Sequence, residues 1–166
     1  MPAKNSSVAK AEMTELTITR IFDAPRELVW KAWTDPEMAK RWWGPQNFTA
    51  PVIKMDLRVG GKYLFCMRSP EGKDYWSTGV YREIVPPERL VCTDSFADEH
   101  GNVVPAKHYG MEGDFPMELT VKVTLEKHGK GTKMTLRHIG MPSGTMSELA
   151  QEGWNGSFDK LAESLK

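Results

Sequence analysis

Along residues 14–22 apolar and polar side chains alternate, with Leu16, Ile18 and Phe22 on one side and Thr17 and Thr19 on the other. That two-residue period predicts a strand with one buried face. The period then lengthens. Leu28, Val29, Ala32 and Trp33 form an apolar helical face after Asp23, which suits a helix cap, and Pro25, which suits a first turn because its missing N–H would have no intrahelical partner. Asp35-Pro36-Glu37 repeats the start signal, and Gly44-Pro45 supplies a left-handed stop followed by a breaker. The pattern predicts two short helices meeting at a corner.

From residue 49 to residue 139 the punctuation is that of strands and tight turns. Gly60-Gly61, Pro70-Glu71-Gly72, Pro86-Pro87 and Gly129-Lys130-Gly131 separate β-branched and aromatic runs near 52–57, 62–68, 75–84, 90–96, 118–127 and 132–139. The last hairpin is the clearest, with Leu119, Val121, Val123 and Leu125 alternating with Thr120, Lys122, Thr124 and Glu126, then Met134 and Leu136 with Thr135 and Arg137. Residues 97–117 break the pattern with Gly, Pro, Asp and two histidines, a longer loop than most connections in a compact domain. Beyond it, Met146, Leu149, Ala150, Gly153, Trp154, Ser157, Phe158, Leu161, Ala162 and Leu165 recur at three- and four-residue steps, and Thr145 and Glu148 are spaced as a capping box. These predict a long amphipathic C-terminal helix.

The resulting class is α+β: a curved, mostly antiparallel sheet, two short helices after the first strand, and one terminal helix long enough to cover the apolar face of the sheet. Composition agrees with a single domain over residues 14–166. The 166 residues are 40% hydrophobic and 27% charged, and 22 basic residues balance 22 acidic ones without a block of either sign. No basic surface for nucleic acid and no membrane partner are expected. No apolar run reaches the roughly 20 residues of a membrane span, and the N-terminus lacks a secretory pattern, so a cytoplasmic protein is expected. Residues 1–13 read as a frayed or disordered leader. Cys66 and Cys92 fall in strands expected to flank a common neighbour, roughly 9 to 10 Å apart at the usual strand spacing, too far for a disulfide. They are read as buried free thiols.

Several residues then stand out in order: Arg20-x-Phe22-x-Ala24-Pro25, Val29-Trp30-x-Ala32, Asp35-Pro36, Trp42-Trp43-Gly44, Asp56-x-Arg58-x-Gly60-Gly61, the run from Gly79-x-Tyr81 through Pro86-Pro87-Glu88-Arg89-Leu90-Val91, and Gly153-Trp154. Over residues 14–165 this series resembles the bacterial members of the family named for the C-terminal domain of the heat-shock-protein-90 ATPase activator, within the START-like, birch-pollen-allergen-like superfamily. The resemblance implies a helix-grip fold with a hydrophobic cavity between the sheet, the two short helices and the terminal helix. It implies no single reaction, because the superfamily includes lipid and hormone binders and polyketide cyclases. The activator proper also carries an N-terminal domain with an Asn- and Trp-rich motif that this sequence lacks, which counts against a co-chaperone role.

Within that frame Trp42, Trp43, Tyr81, Phe96, His138, Trp154, Phe158 and Leu161 are the candidate ligand-binding residues. Gly153 costs about 1 kcal/mol against Ala inside a helix, which points to close backbone approach or to open space beside Trp154. Of Trp42 and Trp43, one is expected to pack inward and the other to stay near the surface. Arg20, Asp94 and His138 fall on the apolar side of their strands and must be paired or hydrated there. Asp94 and His138 are therefore the candidate acid–base pair; Tyr81 and Glu83 are weaker candidates. His100 and His108 lie near Asp94, Asp98, Glu99, Glu112 and Asp114, but the spacing matches no metal signature, so no metal or other cofactor is expected. Three functional readings follow: a domain binding a small hydrophobic or aromatic ligand, a cyclase- or hydrolase-type enzyme using the same cavity, and a chaperone-associated interaction module. A monomer or homodimer is expected.

Overall fold

A computed structural model describes residues 14–111 and 115–166. The leader expected over 1–13, and Glu112 and Asp114 of the loop carboxylates, lie outside the described residues. Strands β1 (Glu15–Phe22), β2 (Thr49–Met55), β3 (Lys62–Arg68), β4 (Asp74–Val85), β5 (Arg89–Ala97), β6 (Leu119–His128) and β7 (Gly131–Ile139) form one sheet in the order β1-β7-β6-β5-β4-β3-β2. Every pairing is antiparallel. From β3 to β7 each strand pairs with its predecessor, and β1 joins the far end in register with β7, from Glu15 opposite Ile139 to Phe22 opposite Thr132. Because β1 and β2 are the two edges, the chain between them must traverse the sheet. Helices α1 (Arg26–Thr34) and α2 (Pro36–Ala39) make that passage, and α3 (Thr145–Ser164) ends the chain. The architecture is the expected α+β, helix-grip-like one. Among the described residues no helix is long and apolar enough to cross a membrane.

One of the three helix starts follows its sequence signal. The Asp35 carboxylate accepts a hydrogen bond from the Glu37 N–H at 3.0 Å, with Pro36 at the first helical position. The other two differ. Pro25 itself occupies the cap position of α1, leaving Asp23 outside the helix, and no side chain caps that end. In α3 the cap is Gly144, so Thr145 is already helical and the Thr145–Glu148 spacing makes no capping box. The reason lies in the backbone: a cap precedes the first helical residue, and here the chain enters with Gly144 at φ +89°, a conformation that a threonine would resist.

The sheet side of the core is Leu16, Ile18, Leu90, Val121, Val123, Leu125, Met134 and Leu136; the helix side is Val29, Ala32, Trp33, Trp42, Phe158 and Leu161. Each of the Val, Leu, Ile, Phe and Met side chains contributes about 1.5–3 kcal/mol when fully buried. Helix α3 is fastened to the turn that follows α2 at three positions, Gly156, Ser157 and Lys160. Gly156 lets the backbones meet, since a β-carbon there would lie 2.9 Å from the Gln46 nitrogen. Ser157 Oγ donates to the Gly44 carbonyl at 2.7 Å, and Lys160 Nζ donates to the Pro45 and Phe48 carbonyls at 2.8 and 3.1 Å. Partial burial holds the Lys160 ammonium below its ordinary pKa.

Cys66 on β3 and Cys92 on β5 are buried and free, with β4 between them. They stand opposite Trp76 and Tyr81 respectively, so they are offset along the strands as well as separated across them.

Candidate functional site

Three elements converge on one histidine. His138 comes from β7, Asp94 from β5 and Trp154 from α3, with β6 lying between the two strands. His138 Nε2 is 2.9 Å from Asp94 Oδ2, and Trp154 Nε1 is 3.1 Å from His138 Nδ1. An indole N–H only donates, so Nδ1 must accept, and the neutral ring carries its proton on Nε2, where it donates to the carboxylate. Both ring nitrogens are thereby engaged.

The other side of Asp94 is set by Tyr63. Its hydroxyl donates to the Thr93 carbonyl at 2.7 Å and lies 3.4 Å from Asp94 Oδ1. Burial, then the charge of Asp94, pushes the Tyr63 phenol well above its ordinary pKa. The ring reaches this position because residue 79 is glycine: a β-carbon there would lie 1.9 Å from the Thr93 oxygen and 2.6 Å from Tyr63 Cε2.

Asp94, His138 and Trp154 form one wall of a cavity of about 280 Å³. Trp43, Gly44 and Pro45 close one side, Phe96 and Leu119 continue the sheet wall, and Met146, Leu149, Ala150 and Gly153 present the first turns of α3. Met111 and Phe115 cover it from the connection between β5 and β6. That connection is less irregular than its sequence suggests: it contains a short 3₁₀ turn, Ala106–Tyr109, and a bridge between Ala97 and Val103. The Tyr109 hydroxyl donates to the Ala97 carbonyl and accepts from the Trp76 N–H at 3.1 Å, pinning the connection to β4 and β5. Leu149, 59% exposed, stands at the mouth.

Behind Trp43, Asp94 and Trp154 lies a second, smaller void of about 30 Å³, lined also by Trp33, Trp42, Tyr63, Tyr81 and Cys92. The buried Trp33 indole nitrogen has no protein partner among the described residues. A wider depression lined by Arg41, Gln46, Asp159 and Lys160 runs along the C-terminal part of α3 and is a shallow surface feature built from charged ends.

The candidate residues separate accordingly. Trp43, Phe96, His138 and Trp154 line the larger cavity together with Asp94. Trp42 and Tyr81 line only the small void; Trp42 is the inward member of its pair, fully buried with Nε1 donating to the Ala32 carbonyl at 3.0 Å. Phe158 and Leu161, also expected at the cavity, are fully buried in the core and line neither of these two spaces. Position along the helix explains this: Phe158 and Leu161 lie on the same side of α3 as Trp154 but one to two turns further along, past the end of the cavity. Phe158 still acts on the wall, because its ring stacks on Trp154 at 5.4 Å.

Arg20 is half-buried and bonded to Asp159 on α3 at 2.8 Å, away from His138. Glu83 pairs with Arg89 across the β4–β5 hairpin and does not line the cavity. His100 lies in an exposed turn, and His108 packs edge-on against Tyr109 at 4.9 Å. Among the described residues no three His, Cys, Asp or Glu side chains converge. The sequence reading missed Tyr63, whose run carries no polar signal, and the cavity faces of Met111, Phe115 and Met141.

A curled antiparallel sheet closed by a C-terminal helix, with two short helices between its edge strands, defines a helix-grip-like α+β domain. The family model described as Activator of Hsp90 ATPase homolog 1-like protein matches residues 23–166. The chain belongs to that family. No curated protein matches it. Among solved structures, a protein from Chromobacterium violaceum is 28% identical, with 91% of this chain and 96% of that chain covered and a TM-score of 0.76. One from Arthrobacter aurescens is 29% identical, covering 93% and 87% at a TM-score of 0.77. The AHSA1 protein from Silicibacter pomeroyi is 25% identical, covering 92% and 97% at a TM-score of 0.73.

Proposed function

We propose that this protein is a small-molecule binding domain that encloses an apolar or aromatic ligand between α3, the Gly44-Pro45 corner and the connection after β5. The observation that carries the reading is the cavity of about 280 Å³. It is nearly twice the ~150 Å³ engineered cavity that holds benzene, and close to the roughly 300 Å³ lower bound for small-molecule sites. A ligand of one or two rings suits that volume. Its walls are aromatic rings, thioethers and aliphatic chains with a few converging polar groups, the usual make-up of a binding pocket.

The His138–Asp94 contact at a cavity wall also favours a second reading, acid–base chemistry of the cyclase or hydrolase kind. That chemistry needs a ring nitrogen free to meet a substrate proton. Both nitrogens of His138 are already bonded, so catalysis there would first have to break the bond from Trp154. Binding is the simpler use of the same wall.

The test is a thermal-shift and amide-NMR screen of one- and two-ring compounds, repeated with Ala150→Trp, which fills the cavity from its α3 side. A ligand at a hundred times its Kd stabilises the fold by about 2.7 kcal/mol, and the filled variant should lose that shift while keeping its own fold. No stabilisation by any compound, with unmoved amides around Trp43 and Trp154, would sink the proposal.

A further inference from the structure

The cavity wall is one-sided in charge. Among the described residues Asp94 is the only formally charged side chain on it, and no lysine or arginine lines it. The carboxylate is about a quarter exposed. His138 does not neutralise it, because the Trp154 N–H occupies Nδ1 and leaves the ring in its neutral tautomer. A carboxylate offers about four acceptor positions, and here one is filled by His138 Nε2–H, while Tyr63 approaches another only at 3.4 Å after donating to Thr93.

Three of the side-chain donors on the wall are committed elsewhere. Trp154 N–H goes to His138, His138 N–H to Asp94, and Ser157 O–H to Gly44. The hydroxyls of Ser77 and Ser95 can turn either way, and the Trp43 indole N–H has no protein acceptor among the described residues. Beside these the space is faced by a carboxylate, weakly accepting thioethers and aromatic rings, among them Trp43, Trp154, Phe96 and Phe115. Aromatic faces attract cations through the ring quadrupole, whereas a negative group would meet the carboxylate with no cation to answer it. A hydrocarbon would fill the volume but leave the carboxylate partly desolvated without a new partner, which is unfavourable.

We infer that the cavity takes ligands joining an apolar ring to a protonated amine, with the ammonium group seated against Asp94 beside the Trp43–Trp154 edge-to-face pair. This rests on the binding reading above and narrows it to a chemical class. Asp94 acts as the selecting residue, His138 and Tyr63 hold it in place, and the Trp154–His138 bond keeps the histidine from acting as an internal counter-ion.

The test compares four probes with one phenyl ring and a matched side chain ending in different groups: 2-phenylethylamine, 2-phenylethanol, propylbenzene and 3-phenylpropanoate. Affinities are measured by NMR titration on the wild-type protein and on Asp94→Asn. The amine should bind roughly ten- to a hundredfold tighter than propylbenzene, the range expected of one charge-assisted hydrogen bond. The alcohol should lie between them and the carboxylate should be weakest. In Asp94→Asn the advantage of the amine should vanish while propylbenzene binding is kept. Equal binding of amine and hydrocarbon in the wild type, or tighter binding of the carboxylate, overturns the inference and leaves the cavity reading standing. No binding of any probe, together with a silent wider screen, removes both. Should Asp94→Asn not fold, the wild-type order decides, with nuclear Overhauser contacts from the amine methylene to the Trp154 indole N–H as the second measurement; their absence in a bound complex overturns the placement.

Discussion

The Trp154 indole nitrogen lies 3.1 Å from Nδ1 of His138, and this bond decides which ring nitrogen faces Asp94. Nitrogen-15 spectra of the histidine ring should show the Nε2–H tautomer, with Nδ1 at the shift of an acceptor. Trp154→Phe keeps an aromatic ring against Phe158 but removes the donor, so the tautomer should become mixed and stability should fall by about 1 kcal/mol or more from the lost bond and the vacated volume. A wild-type spectrum with the proton on Nδ1 would contradict the arrangement of the whole wall.

Two glycines on α3 separate open space from close contact. A β-carbon at Gly153 would meet only Pro45 Cγ, at 3.5 Å, an ordinary contact. Gly153→Ala should therefore stabilise the protein by up to about 1 kcal/mol through helix propensity. Gly156→Ala should do the reverse, because its β-carbon would press on the Gln46 backbone at 2.9 Å, and neither backbone can yield without moving α3 from its seat. A cost of about 1–3 kcal/mol is expected for such overpacking. Urea unfolding of the two variants checks both signs.

Tyr63→Phe isolates the hydroxyl that steadies Asp94. The ring stays beside Gly79, but the bond to the Thr93 carbonyl is lost, at about 1 kcal/mol. If amine binding depends on a held carboxylate, this variant should weaken 2-phenylethylamine more than propylbenzene in the same titrations. Equal weakening of both would make Tyr63 a packing residue only.

Local signals carried the reading of the fold well: alternation in β6 and β7, the Asp35-Pro36 start of α2, and helical spacing from Met146 onward. The wall was legible where a polar residue broke an apolar face, which is how Asp94 and His138 came to be singled out as a pair. What stayed hidden depended on non-local geometry. Gly156 and Gly153 look alike in sequence, and only the approach of residues 44–48 distinguishes them. Tyr63 is an unremarkable aromatic in a strand until Gly79 and Thr93 stand opposite it. Phe158 and Leu161 share the helical period of Trp154, but a helix that is gripped on several sides has no single inward face, and periodicity cannot say which neighbour each side chain meets.

The buried thiols set an alkaline limit. Burial pushes Cys66 up to about 11 and raises Cys92 further, with the charge of Asp94 adding to the latter; burial also raises Tyr63 and Tyr81. All four are neutral acids whose native pKa exceeds the unfolded one, so between the two values the native state holds more protons. Their contribution is intact below the ordinary thiol value of 9.0 and declines as pH climbs through the window to about 11 for Cys66, with the others extending it upward. Tm should therefore fall between pH 9 and 11, and Cys66→Ala should flatten the first part of that fall. At pH 8 a thiol reagent should label neither cysteine in the native protein and both after unfolding in urea. Rapid labelling of either thiol in the native state would show that β3 or β5 opens far more readily than its packing implies.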